Sequence, residues 1–348
     1  MPRKFTRLWF LVLGLSVVAF ILLNLLLGSV SIPFSGVLDI LMNPHDSTSP
    51  QIWQNIIWKS RWPQCLTALV AGAGLAVSGQ MMQTVFHNPL AGPSVLGISS
   101  GASLGVAMVV LLSGSILGHA LSSFGFAGEL AVTLSAIIGS LAVMSVIVWV
   151  SSRVRGNVTL LIIGVMVGYI ANAVIGVLKY FSVEEDIRSY VIWGLGSFAR
   201  VSGGDLTILI VSMTLLLLLS LLTVKALNLL LLGEIYARNL GLNVKQARMI
   251  VIGLSGCLVA VVTAYCGPIM FIGLAVPHLC RGIFRSGDHR VLMPANILCG
   301  ALLALACNLI ARLPGIEGAL PVNSVTSLVG APVVIYVLFS KRRETIPE

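Results

Sequence analysis

Glu234 and Arg238 stand four residues apart in LLGEIYARNLGLNVKQ at 231–246, an acid and a base that meet on one face of a short helix. Such a pair contributes only about 0.2–0.5 kcal/mol, so its interest is positional. Gly241 is placed to stop that helix and Asn243 to cap the next. A short amphipathic helix between two apolar segments makes and breaks no bonds. It is a handle through which a soluble domain can push; an ordinary loop helix is the plainer reading of the same residues. Elsewhere the reactive residue types do not gather. There is no GxxxxGK[ST] phosphate loop, no HExxH and no aspartate pair within an apolar stretch. The six cysteines, Cys65, Cys257, Cys266, Cys280, Cys299 and Cys307, lie in apolar segments with no CxxC pair and read as small buried hydrophobes. His278 has no second ligand near it in sequence and reads as structural.

The segments around these residues are those of a membrane protein. Between Arg61 and Glu129 the chain runs 67 residues without a charge, broken only by the turn-rich HNPLAGPSVLGISSGA at 87–102. At 1.5 Å per residue, about 20 helical residues cross a hydrocarbon core of roughly 30 Å. Charged residues are 9% of the 348, hydrophobic residues 57%, and the mean hydropathy is +1.02. The formal charge of +9 then belongs to a lipid surface rather than to nucleic acid.

We read an all-α polytopic membrane protein of about ten transmembrane helices, one domain over 1–348. The spans fall at 8–29, 61–84, 94–116, 129–150, 157–180, 206–228, 246–267, 269–284, 291–311 and 321–340. The first is retained rather than cleaved, being too long for a signal peptide. Gly267-Pro268 divides an uncharged run of 32 residues into the seventh and eighth spans, and Pro277 kinks the eighth. With a cytoplasmic N-terminus, 15 of the 21 Lys and Arg fall inside, and ten spans return the C-terminus there. Two outer segments exceed turns: 31–60, rich in proline and tryptophan, and 181–205, with a brief interfacial helix at 189–198.

No acid or base stands at mid-depth in these spans, which disfavours an ion-coupled carrier or channel. A membrane enzyme lacks its motifs. A chain that transports without its own phosphate loop needs a partner to supply energy.

The sequence resembles, over essentially its whole length, the permease subunits of type II ABC importers for iron chelates and vitamin B12. Four stretches carry the likeness: RWPQCLTALVAGAGLAVSGQMMQTVFHNPLAGPSVLGISSGA at 61–102, LLGEIYARNLGLNV at 231–244, GPIMFIGLAVPHLCR at 267–281 and LPVNSVTSLVGAPVVIYVL at 320–338. The resemblance implies the permease fold of that family in the bacterial cytoplasmic membrane. It implies two permeases around a central path, two ATPase subunits that alone bind ATP and Mg, and a periplasmic binding protein. No cofactor belongs to this chain itself.

Carried over residue by residue, Gly233, Glu234, Ala237, Arg238, Leu240 and Gly241 would form the ATPase contact. The fifth and tenth spans would line the path, with Asn157, Val158 and Ile162 near its cytoplasmic narrowing. Arg61 and Arg312, assisted by Lys59, would dock the binding protein; anchoring at lipid headgroups is the alternative for these cations. The usual second arginine of the docking motif is Gln64 here, a departure from the family's two-point docking. Gly72, Gly74, Gly79, Gly97, Gly101 and Gly105 read as close helix packing. His119, in an outer loop, is the histidine better placed to touch a haem-like cargo. Ferric siderophore, haem and cobalamin all stay open; an iron chelate is favoured on family frequency, not on any residue.

Overall fold

The computed structural model describes residues 3–28, 30–43, 48–117, 126–154, 157–313 and 319–344. His119, placed in an outer loop by the sequence reading, lies outside them. Among the described residues, seven helices are long and apolar enough to cross a membrane, and the apolar helical stretches Ile98–Leu112, Ile272–Phe284 and Val322–Ile335 bring the number to about the ten expected.

The first half of the chain carries α1 (Arg3–Leu26), α2 (Phe34–Met42), α3 (Gln51–Ile56), α4 (Trp62–Val85), α5 (Ile98–Leu117), α6 (Phe126–Arg153) and α7 (Asn157–Phe181). The second half carries α8 (Glu184–Gly194), α9 (Gly203–Leu222), α10 (Val224–Leu231), α11 (Glu234–Asn239), α12 (Val244–Cys266), α13 (Ile272–Phe284), α14 (His289–Ala311) and α15 (Val322–Glu344).

The central helix is α4, which packs on α9, α12, α13 and α14. Its small residues let backbones touch. A Cβ at Gly72 would stand 2.2 Å from Gly300 O, and one at Gly79 would stand 1.6 Å from Gly273 O. Gly101 and Gly105 do the same for α5 against α6, at Gly139 O and Ser135 O. In lipid no hydrophobic force draws helices together, so close approach and dispersion contacts must.

Three boundaries differ from those read in the sequence. The second span was placed at 61–84, but the helix begins ten residues earlier. A π-turn over Ile57–Arg61 joins α3 to α4, with the Trp62 amide bonded to Ile57 O. Pro63 has no amide to donate, which disrupts the regular ladder here. The sixth span was extended to 228, yet α9 ends at Leu222. Thr223, whose Oγ1 donates to Ser220 O, turns the chain into α10, and α10 buries Leu227 and Leu230. The brief helix of the 181–205 segment begins earlier, at Glu184. It packs on α5 with Tyr190 and Trp193 buried.

The Gly267-Pro268 break is present. Cys266 ends α12, Gly267 adopts φ +76°, and Ile272 opens the 13-residue α13 with Pro277 inside it.

Candidate functional site

The segment around α11 is built by two glycines. Gly233 (φ +95°) opens it and Gly241 (φ +86°) closes it, backbone angles that a side chain rarely adopts. Asn243 caps α12 by accepting from the Gln246 amide at 3.1 Å. Ala237 is fully buried, while Ile235 (77% exposed), Tyr236 (68%) and Leu240 point away from the bundle, and Arg238 is exposed as well. The helix therefore rests on one small residue and offers an apolar face with a cation beside it. Glu234 pairs with Arg248 of α12, not with Arg238. Sequence reasoning missed Ile235, Tyr236 and Arg248. The first two were legible as apolar residues flanking a buried alanine; the third needed the turn geometry.

Beneath α11 lies a polar network that the sequence did not announce. Asn228 of α10 donates to Asp288 Oδ1 at 2.7 Å and accepts from the His289 amide and ring Nδ1 at 2.9 and 2.8 Å. With Nδ1–H so committed, His289 Nε2 accepts, and it lies 2.8 Å from Thr84 Oγ1 and 3.2 Å from Gln80 Nε2. Arg281 of α13 donates to Gln80 and Gln83. This ties the helix leading into α11 to α4, α13 and α14. Asp288 caps α14 by accepting from the Arg290 amide at 2.8 Å. That amide, then the Asn228 side chain and the Arg290 charge, holds its carboxyl below the usual carboxylate range.

At the opposite end the three expected docking cations separate. The expectation of an outward-reaching Arg61 is corrected: its side chain is 1% exposed and donates to the carbonyls of Leu25, Leu26 and Val30. The last carbonyls of a helix have no partner within it, and a buried guanidinium with several donors satisfies them at the end of α1. Arg312 is half-buried and shares with Arg61 the space over Gly28, where a Cβ would lie 3.2 Å and 3.0 Å from the two guanidinium groups. Lys59 alone is exposed.

Asn157 is the first residue of α7, and Val158 and Ile162 stand one turn apart on its exposed apolar side. The other side of α7 packs on α5 and on the 3₁₀ turn Pro93–Leu96. His278 bonds through Nε2 to Pro89 O at 2.8 Å, a structural partner. The six cysteines are free thiols, five of them buried.

Residues 16–340 match the model of the FecCD transport family. The vitamin B12 import system permease protein BtuC of Klebsiella pneumoniae is 39% identical over 290 residues, 83% of this chain and 84% of that protein. The hemin transport system permease protein HmuU of Yersinia pestis is 38% identical over 303 residues, 86% and 87% of the two. A solved metal-chelate type ABC transporter, in an inward-facing conformation, superposes with a TM-score of 0.81 at 30% identity, covering 95% of this chain and 99% of that one. The chain thus belongs to the FecCD transport family and is a membrane-embedded permease subunit of a type II ABC importer, a transport component rather than an enzyme.

Proposed function

We propose that two copies of this chain form the path by which a metal chelate, foremost an iron chelate such as a ferric siderophore or haem, enters a bacterial cytoplasm. In this reading Gly233, Glu234, Ala237, Arg238, Leu240 and Gly241 meet a separate ATPase that binds ATP and Mg, joined there by Ile235 and Tyr236. A periplasmic binding protein delivers cargo at the opposite end, where Lys59 and Arg312 receive it. Arg61 acts by holding the end of α1. Asn157, Val158 and Ile162 narrow the cytoplasmic side of the path, and both termini are cytoplasmic.

The observation that carries this reading is the exposed apolar face of α11, set on Ala237 and clamped to α12 through Glu234 and Arg248. A rigidly seated helix with an unburied Ile-Tyr-Leu face suits a partner that moves it. The test is uptake into proteoliposomes holding the permease with its ATPase and binding protein. ATP-dependent accumulation of the iron chelate is expected, and accumulation driven by an ion gradient without the ATPase would refute the reading. Cobalamin is the second candidate, supported by the B12 permease among the relatives. Running both cargoes in one assay separates them.

A further inference from the structure

We propose that a cavity at the end of the bundle opposite α11 holds the headgroup of a phospholipid that carries both a phosphate and a primary ammonium. The cavity, about 340 Å³, is walled by α5, α6, α8, α9 and α12, at the lower end of the size of small-ligand pockets, roughly 300–1,000 Å³. Its lining includes Glu129, Asp205, Arg200 and Trp193 beside apolar Val132 and Val201.

Asp186 is a third carboxylate on the wall, buried and with a partner of its own; Glu129, Asp205, Arg200 and Trp193 do not satisfy one another. Among the described residues, Glu129 and Asp205 make no ion pair, with Arg200 or any other cation. Arg200 lies close enough to Glu129 to feel its charge but beyond salt-bridge reach. Trp193 is 4% exposed, and its Nε1–H has no acceptor among the described residues. Among the described residues, two carboxylates are thus without an ion pair, Glu129 exposed and Asp205 half-buried, while the exposed Arg200 guanidinium and the buried Trp193 N–H have no acceptor. One zwitterion answers both needs: its phosphate for Arg200 and Trp193, its ammonium for Glu129 and Asp205. A quaternary amine carries no N–H to give the carboxylates, so a primary amine is selected.

The occupant is assigned as a lipid because the walls continue as exposed apolar surface on two helices long enough to cross a membrane. Leu130 and Leu134 of α6, with Ile208 and Val211 of α9, are exposed apolar residues following Glu129 and Asp205 along their helices. Acyl chains lie along them. Placement in the outer leaflet rests on the reading that α11 faces the cytosol; the headgroup chemistry does not.

The test is native mass spectrometry of the full permease released from bilayers of equal phosphatidylethanolamine and phosphatidylcholine. Wild type is expected to retain the ethanolamine lipid about five-fold over the choline lipid. Glu129→Gln with Asp205→Asn should return the ratio to that of the bilayer. Trp193→Phe, which keeps the ring, should lower retention of both lipids. An equal ratio in wild type and the double variant overturns the site. Thermal protection by soluble glycerophosphoethanolamine without lipid retention overturns the lipid as its source. Neither readout uses ATP, so failure here leaves the coupling assignment standing, and failure of that assignment leaves this preference measurable.

Discussion

The carboxylate of Glu234 is held by the guanidinium of Arg248, fourteen residues on and in the neighbouring helix, across the turn that Gly241 makes. Arg248 is buried and Glu234 about a third exposed, so the pair joins the start of α11 to the body of α12. A force on the exposed face of α11 reaches the span directly. Arg238, one turn along α11, stays on the outward face where a partner would meet it.

Arg248→Ala should therefore uncouple without dissociating. Binding of the ATPase is expected to persist while stimulation of ATP hydrolysis by loaded binding protein falls several-fold. Arg238→Ala should instead weaken ATPase binding. The stability loss for Arg248→Ala is expected at about 1 kcal/mol, below the roughly 1.5–3 kcal/mol of charged hydrogen bonds, because Glu234 is partly solvated. Pull-down and ATPase assays on the reconstituted complex distinguish the two; equal loss of binding in both variants would defeat the division of roles.

Two glycines on different surroundings give a packing test. Gly79→Ala drives a Cβ into Gly273 O at 1.6 Å, a backbone atom that cannot step aside, while Gly253 has nothing within 4 Å. Gly79→Ala should cost at least about 1–3 kcal/mol. Gly253→Ala should be neutral or gain up to ~1 kcal/mol from helix propensity. Thermal unfolding in nanodiscs reads both, and a silent Gly79→Ala would mean that α4 and α13 do not approach as described.

Much of this architecture was legible because lipid leaves a chain few options. Gly267-Pro268 marked the break after α12 because a missing amide and a left-handed angle both end a helix. The α12 bounds, 244–266 against an expected 246–267, came within two residues from that break and the charges before it. What could not be read were relations through space. Arg61 looks like any interfacial arginine until the end of α1 is seen folded against it. Thr223 looks like any apolar-span residue until its hydroxyl is seen turning the chain. The partner of Glu234 depended on a turn, and the i,i+4 rule pointed to the wrong cation.

The outer end yields a separation of folding from docking. Arg61→Ala strands the carbonyls of Leu25, Leu26 and Val30, a loss of about 1–3 kcal/mol for buried polar groups left unpaired. Lys59→Glu touches only an exposed side chain and should leave the unfolding midpoint unchanged. It should weaken capture of the binding protein, more at low salt than at high, since exposed charges are screened beyond about 10 Å at 0.1 M. Capture measured by surface plasmon resonance at two salt concentrations would contradict this if Lys59→Glu behaved as wild type at both.

The cap of α14 gives a pH dependence with a definite sign. The Asp288 carboxyl is held below its ordinary value by the Arg290 amide and the Asn228 side chain. Because the folded value lies below the unfolded one, the stabilisation is complete above the unfolded value, about 3.9 for aspartate, and fades as pH falls through the lower folded value. Amide exchange at the first turn of α14 should accelerate on acidification in wild type. Asp288→Asn keeps an N-cap acceptor but cannot titrate, so its exchange should lose the acid-dependent phase. Asn228→Ala should shift the wild-type transition to higher pH, because one of the groups stabilising the carboxylate is gone. If the transition stayed in place in that variant, the link from α10 to α14 would have no part in holding this cap.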